Sequence, residues 1–387
     1  MKTVRRLIWR DVIWSVMFVS VAFLSLFFFT DFLGELEDVS KRGYPIWAAV
    51  AGALLKQPVR FYELFPITVL IGTIYAMARL AESSEFTILR TGGLGPWRAL
   101  SLLLSLGLIM AALTFVIGEY VAPYGDRQAN ALKAQLRGGN ALGGAGAWLK
   151  EHRPASTVLT PTQSPSDASP LTATGERNIS INVKGTEGAT GLSQIRIFEH
   201  DERGHLIRRI EAPSAQVAPT AQGSVWQLKD AVVSEWPADA SLALQQRKVA
   251  SLAWYTSLDE RLVAAAVSPI DSMSTPELWR YTQHLNEQEQ TAQRYELQFW
   301  KRVLYPFACI VMLALALPFA YLHARSGGIS LKVFGGIMLG ISFVLLNNVV
   351  GHLSLLRDWT PWLAALAPSL LYLALSMAAF VWLVRYR

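Results

Sequence analysis

The chain is 387 residues long, 52% hydrophobic and only 17% charged, with thirteen tryptophans and a formal net charge of +6. Its mean hydropathy is positive, a profile that excludes a disordered chain and points to a membrane protein. A single cysteine, Cys309, and six scattered histidines leave no intrachain disulfide and no zinc-type spacing.

The start, MKTVRRLIWR, sets four basic residues before an apolar run at 12–30. That run is too long for the core of a secretory signal, and no small-residue cleavage site follows, so it reads as a retained first span. A helix needs about 20 mostly apolar residues to cross the hydrocarbon layer. Such runs recur at 99–118, 303–322, 333–351 and 359–384. A shorter one at 64–78 reaches that length with Phe61 and Tyr62 at one interface and Leu80 and Ala81 at the other. Six spans put both termini on one side. Basic residues before the first span, after the second (Arg79, Arg90, Arg98), around Arg325 and Lys332 and at the end mark that side as cytoplasmic. The first outer loop balances Asp31, Glu35, Glu37 and Asp38 against Lys41, Arg42, Lys56 and Arg60.

LAESSEFTILRTGG, residues 80–93, fills the second loop. On a helix from 80 to 90, Glu85 falls among apolar neighbours, with Ile88 and Leu89 three and four residues on. Gly92 and Gly93 supply a left-handed stop and Pro96 confirms the end. The segment reads either as an ordinary interfacial loop helix or as a docking helix whose carboxylate pairs with a cation on a cytoplasmic motor.

By parity the segment 122–298 is external. DRQANALKAQLRGG extends the third span, and GGNALGGAG lacks the lysine of a phosphate cradle and reads as a connector. Residues 154–176, rich in Ser, Thr and Pro, read as a mobile loop. Short alternating runs follow: Ile179, Ile181, Val183; Ile195, Ile197; HLIRRI after the turn signal DERG; SVWQL; KVASLAWY. These make an all-β domain of antiparallel strands, sandwich or jelly-roll in type. STPELWRYTQHL returns to helix, with Ser274 as N-cap and Glu277 three residues on.

Span five carries a small-xxx-small face at Gly336 and Gly340, and the polar pair Asn347 and Asn348, which suits helix-to-helix hydrogen bonding or a ligand. GxxxxGK[ST], HExxH, GxSxG and CxxC do not occur, so no enzyme is expected, nor a cofactor, metal or nucleic acid. The six apolar runs hold no Asp, Glu or Arg to bind a coupling ion. Transport must then draw energy from a partner. An ion-coupled carrier and a scaffold that holds periplasmic proteins by strand addition stand as alternatives.

PVRFYELFPITVLIGTIYAMARLAESSEFTILRTGG, with GEYVAP after span three and YELQFWKRVLYPFACIVMLALALPF entering span four, resembles the permease subunits of the lipopolysaccharide exporter, the LptF/LptG family. Through ELFPITVLIG it is more similar to the G-type (LptG) than to the F-type. The resemblance covers nearly the whole chain except 154–176. It implies an inner-membrane α-helical protein of six transmembrane helices, with a periplasmic β-jelly-roll-like domain inserted between helices 3 and 4. The domains would be 1–121 with a coupling helix at about 80–91, 122–298, and 299–387. The implied partners are an F-type permease homologue, two copies of a cytoplasmic ATPase and a membrane-anchored, LptC-like bridge protein. Together they would extract lipopolysaccharide from the inner membrane.

The resemblance also implies residue roles. Ser84 and Glu85 match the coupling dipeptide that meets an ATPase arginine. Lys332, at the start of span five, and Lys133, after span three, match lipid-contacting cations. Leu64 and Phe65 match apolar positions entering span two. Where relatives carry lysines near the end of span one this chain has Asp31, Glu37 and Asp38, and Lys41 and Arg42 one turn later are the candidate replacements. Hydropathy puts Lys332 near the cytoplasmic side, at odds with that role.

Overall fold

The computed structural model describes residues 2–43, 45–83, 85–136, 147–153, 177–187, 191–220, 223–236, 244–258, 262–263, 270–287, 292–321 and 328–386. The expected mobile loop 154–176 and Ser84 lie outside these residues. In chain order the helices are α1 (Lys2–Arg42), α2 (Ile46–Glu82), α3 (Glu85–Thr91), α4 (Pro96–Val116) and α5 (Ala122–Leu136), with a π-helical turn Ile117–Val121 joining the last two. Six strands follow: β1 (Ala147–Arg153), β2 (Arg177–Glu187), β3 (Gly191–His200), β4 (Leu206–Thr220), β5 (Gly223–Glu235) and β6 (Gln245–Thr256). The chain ends in α6 (Thr275–Glu287), α7 (Gln293–Ala316), a short turn Pro318–Tyr321, α8 (Ile329–Leu356) and α9 (Pro361–Tyr386). Contacts divide it into Met1–Ala129 with Gln293–Arg387, and Asn130–Ala292.

Among the described residues, six helices are long and apolar enough to cross a membrane: α1, α2, α4 continuing into α5, α7, α8 and α9. The central one is α2. Of its membrane-crossing part 72% of residues are buried, against 22% for α1 and for α8. Its neighbours hide it, so it needs less lipid-facing surface of its own, which is why its apolar run is the short one. Phe65, Val69 and Met77 pack with Val12 and Val16 of α1, Leu103 of α4 and Leu313 of α7. Leu70 and Ile74 face Val311, Phe343 and Tyr372.

The α1–α2 hairpin corrects the sequence reading in one respect. The expected outer loop is helical, and the chain turns only around Gly43, whose φ is +73°. The charged residues placed in that loop pair across the hairpin. Arg60 donates to Asp31 through Nε at 3.0 Å and Nη2 at 2.9 Å, and Lys56 reaches Glu35 at 2.7 Å. Asp31 and Glu35 are each only 8% exposed at the side chain. Such pairs hold both helices in register beyond the apolar slab, where hydropathy gives no signal. Deeper in the bundle the backbones touch. A Cβ on Gly72 would lie 2.6 Å from Val16 Cα, and one turn away Ser20 Oγ donates to Thr68 Oγ1 at 3.0 Å.

The second unit is built on one antiparallel sheet in sequence order, β1 to β6. One row runs Leu149, Ile181, Ile197, Ile210, Val233 across five strands in direct register, and every member is at most 3% exposed. Cross-strand apolar pairs of this kind contribute about 0.2–1 kcal/mol each. The sheet folds over along a crease. Gln194 in β3 and Asp230 in β5 take left-handed φ values of 51° and 49°, and Pro213, which has no amide hydrogen to donate, sits between them in β4. At that line the inward phase switches in β3, β4 and β5: Leu192 to Ile195, Ala212 to Ala215, Leu228 to Ala231. A meander thereby buries both halves of its inner surface, as a jelly-roll-like domain must.

Edge strands meet at one end. Glu151 of β1 accepts from Thr256 Oγ1 at 2.8 Å and Ser257 N at 3.0 Å, and Arg153 donates to the carbonyl of Tyr255. Glu199, 1% exposed, is satisfied by Arg177 at 3.0 Å. At the β3–β4 turn Asp201 Oδ1 accepts from the amides of Arg203 and His205. The expected capping box of α6 is present, Glu277 Oε2 accepting from Ser274 N at 2.8 Å.

Candidate functional site

The docking-helix candidate begins where α2 stops. Ser83 N donates to Arg79 O at 3.0 Å and its hydroxyl turns back to Leu80 O, closing the helix in the way serine competes for backbone partners. The helix expected from Leu80 onward is therefore two pieces, and Glu85 opens the second rather than lying mid-helix. It is exposed, as is Ile88, at 67%. Leu89 and Leu94 instead pack into the bundle core. Leu94 N donates to Leu89 O at 3.0 Å around Gly93, whose φ is +97°. That is a Schellman stop, and Gly93 supplies its left-handed residue. Pro96 then starts α4.

The stem beneath this helix is braced by a contact that the sequence reading missed. Arg79 Nη2 sits 3.0 Å from Asp11 Oδ2, tying the end of α2 to the start of α1. The only available signal was one acid inside a basic N-terminal stretch. The result is a short helix, acid and isoleucine outward and leucines inward, fixed on the most buried helix of the bundle. Such a surface can accept a cation plus an apolar contact from another protein.

The lipid-contact candidates are not gathered into one place. Lys332 is only 6% exposed and lies one turn before Gly336 on the side of α8 facing α2. An added Cβ at Gly336 would meet Ile74 Cδ1 at 2.6 Å, and at Gly340 Ile67 Cγ2 at 2.8 Å. This register sets Lys332 at the α3 end of the bundle, opposite to the end where Lys41 stands, so the two cannot share one ring of cations. Lys41 is paired with Glu37 at 2.5 Å, and the side chain of Arg42 lies outside the described ones. Phe65 is 2% exposed and packs in the subunit core, its ring 4.7 Å from Phe61. Leu64 keeps partial exposure. Lys133 is half-buried on α5, in the second unit.

The asparagine pair divides. Asn347 lines a cavity of about 20 Å³ with Lys301, Tyr305 and Ser369, a space fit for a single water. Asn348 faces outward, and its carbonyl is 2.8 Å from His352 Nδ1.

Comparison with known proteins adds one consistent result. The family described as "Lipopolysaccharide export system permease LptF/LptG" matches residues 6–385. The lipopolysaccharide export system permease protein LptG of Escherichia coli (strain K12) is 27% identical over 350 residues, 89% of either chain. The Haemophilus influenzae protein of the same name is 26% identical over 347 residues, 89% of this chain and 88% of that one.

Proposed function

Since the protein belongs to the LptF/LptG family of lipopolysaccharide export permeases, we propose that it is the passive, G-type half of an ATP-driven lipid exporter in the inner membrane. Its F-type homologue completes the permease pair. Two copies of a separate cytoplasmic ATPase supply the power, so this subunit catalyses nothing itself. A periplasmic bridge protein takes the lipid onward. Both termini face the cytoplasm and the β-domain the periplasm.

One observation carries the energetic part of this reading: an exposed carboxylate, Glu85, at the head of a short helix seated on the most buried span. A push on that helix moves α2, and with it the helices packed around it. Glu85 accordingly pairs with an arginine of the ATPase, with Ser84 beside it. Truncating one partner of a desolvated charge pair costs about 2–5 kcal/mol. Titrating the ATPase onto purified permease pairs is expected to show Glu85→Ala binding at least tenfold more weakly than the parent, with the permease pair still assembled. Equal affinity for parent and variant would remove Glu85 from the coupling.

The lipid contacts proposed are Leu64, Lys41 and Lys133, which keep surface, with Arg42 next to Lys41 in the chain as a further candidate. Lys332 and Phe65 act inside the subunit, holding α8 and α1 against α2.

A further inference from the structure

The basic start of α1 carries a built surface. Arg5, Arg6, Trp9, Arg10, Ile13 and Trp14 line a groove of about 510 Å³, lying between the two helical ridges 5–9–13 and 6–10–14. Its chemistry is graded along the helix, with guanidiniums at the mouth, an indole beside Arg10 in the middle, and Ile13 with Trp14 at the inner end. The exposed apolar side then continues through Phe18, 74% exposed, and Val21, 57% exposed. The floor is fixed. Trp9 Nε1 donates to Leu102 O on α4 at 3.2 Å, and the Arg5 guanidinium lies 5.2 Å over the Trp9 ring. Ile8 and Val12, both buried, seat the opposite side of the helix.

Positive charge is in excess here. Asp11, the one acid recorded against these arginines among the described residues, is bonded to Arg79 at 3.0 Å and meets Arg10 only at 3.7 Å. Arg6 has no partner among the described residues. A topology signal asks only for basic residues somewhere before the span. It does not ask for three guanidiniums on one side, above two indoles and an apolar exit.

We propose that this groove binds one anionic glycerophospholipid of the leaflet that the basic end faces. The headgroup phosphate sits among Arg5, Arg6 and Arg10, where guanidinium forks match phosphate geometry. One acyl chain runs past Ile13 and Trp14 towards Phe18. Charge complementarity selects the phosphate, and the apolar inner end on a membrane-crossing helix selects a lipid over a free ion. The bound lipid steadies the start of α1, which through Asp11 and Arg79 braces the α3 end of α2. The site depends on membrane insertion alone and stands apart from the export reading.

Native mass spectrometry of the full chain in detergent, titrated with phosphatidylglycerol or phosphatidylcholine of the same acyl chains, tests it. One phosphatidylglycerol is expected to bind in preference to phosphatidylcholine. Each of Arg5→Gln, Arg6→Gln and Arg10→Gln is expected to weaken it about fivefold, whereas Arg98→Gln, at the same end but outside the groove, leaves it unchanged. Should a Gln variant fail to fold, Arg5→Lys with Arg6→Lys keeps the charge and is expected to retain the preference at reduced affinity. Equal binding of the two lipids, or an Arg98→Gln effect as large as the others, overturns the proposal. So does displacement by millimolar inorganic phosphate, or a photo-crosslinker replacing Trp14 that captures a polypeptide in cells.

Discussion

Arg79 is 52% exposed, yet its partner Asp11 keeps only 10% of its side-chain surface. Arg79→Ala strands that acid, and a loss of about 1–3 kcal/mol in melting stability is expected. Asp11→Asn with Arg79→Ala is expected to lose less than Arg79→Ala alone, because the stranded charge is gone. The pair Asp31–Arg60 behaves likewise at the other end of the hairpin, where Arg60 also meets Glu63 at 3.1 Å. Asp201 offers a pH readout. The His205 amide above all, with the His205 side chain and the Arg203 amide, holds its carboxyl below the usual carboxylate range. A depressed folded value stabilises above the unfolded one and is lost as pH falls through the folded one. Protection of the Arg203 and His205 amides, taken relative to their intrinsic exchange at each pH, is therefore expected to hold from neutral pH down to the ordinary carboxylate range and to fall only below it. Residue identity was the least legible scale. Glu85 stood out from its neighbours in sequence, but whether a lysine such as Lys332 faces lipid or another helix depends on packing partners far along the chain.

At the level of elements, the close approach of α2 to the α1 backbone had no cue in the sequence. Gly336 and Gly340 carry a recognisable spacing, yet the atoms they approach are side-chain ends that can shift. A Cβ added at Gly72 would lie 2.6 Å from the Val16 backbone, which cannot yield without moving α1. Gly72→Val is expected to destabilise the bundle by at least the roughly 1–3 kcal/mol typical of overpacking. Gly335→Ala is expected to be neutral or slightly stabilising: its nearest neighbour, Phe319, is 3.9 Å away and alanine favours helix by about 1 kcal/mol. Thermal melting of the two variants separates the cases. The six spans were legible because each must offer lipid an apolar surface for a fixed length. Their extension beyond the slab was not, since ion pairs between distant residues hold it. The strands were legible by alternation. The crease was not recognised, although Pro213 inside an alternating run is the mark that a strand must break its ladder there.

For the whole molecule, the two spans with the least internal burial, α1 and α8, leave broad apolar sides. A lone chain in membrane solvates those sides in lipid. The central claim is that the permease pair is driven through Glu85 by an outside motor. Vesicles holding the permease pair, its ATPase and lipopolysaccharide measure that directly as ATP-dependent lipid release. The account predicts release by the parent complex, its loss in Glu85→Ala with the permease pair intact, and none from this chain alone. Release by the lone chain without nucleotide, or undiminished release by Glu85→Ala, would contradict it.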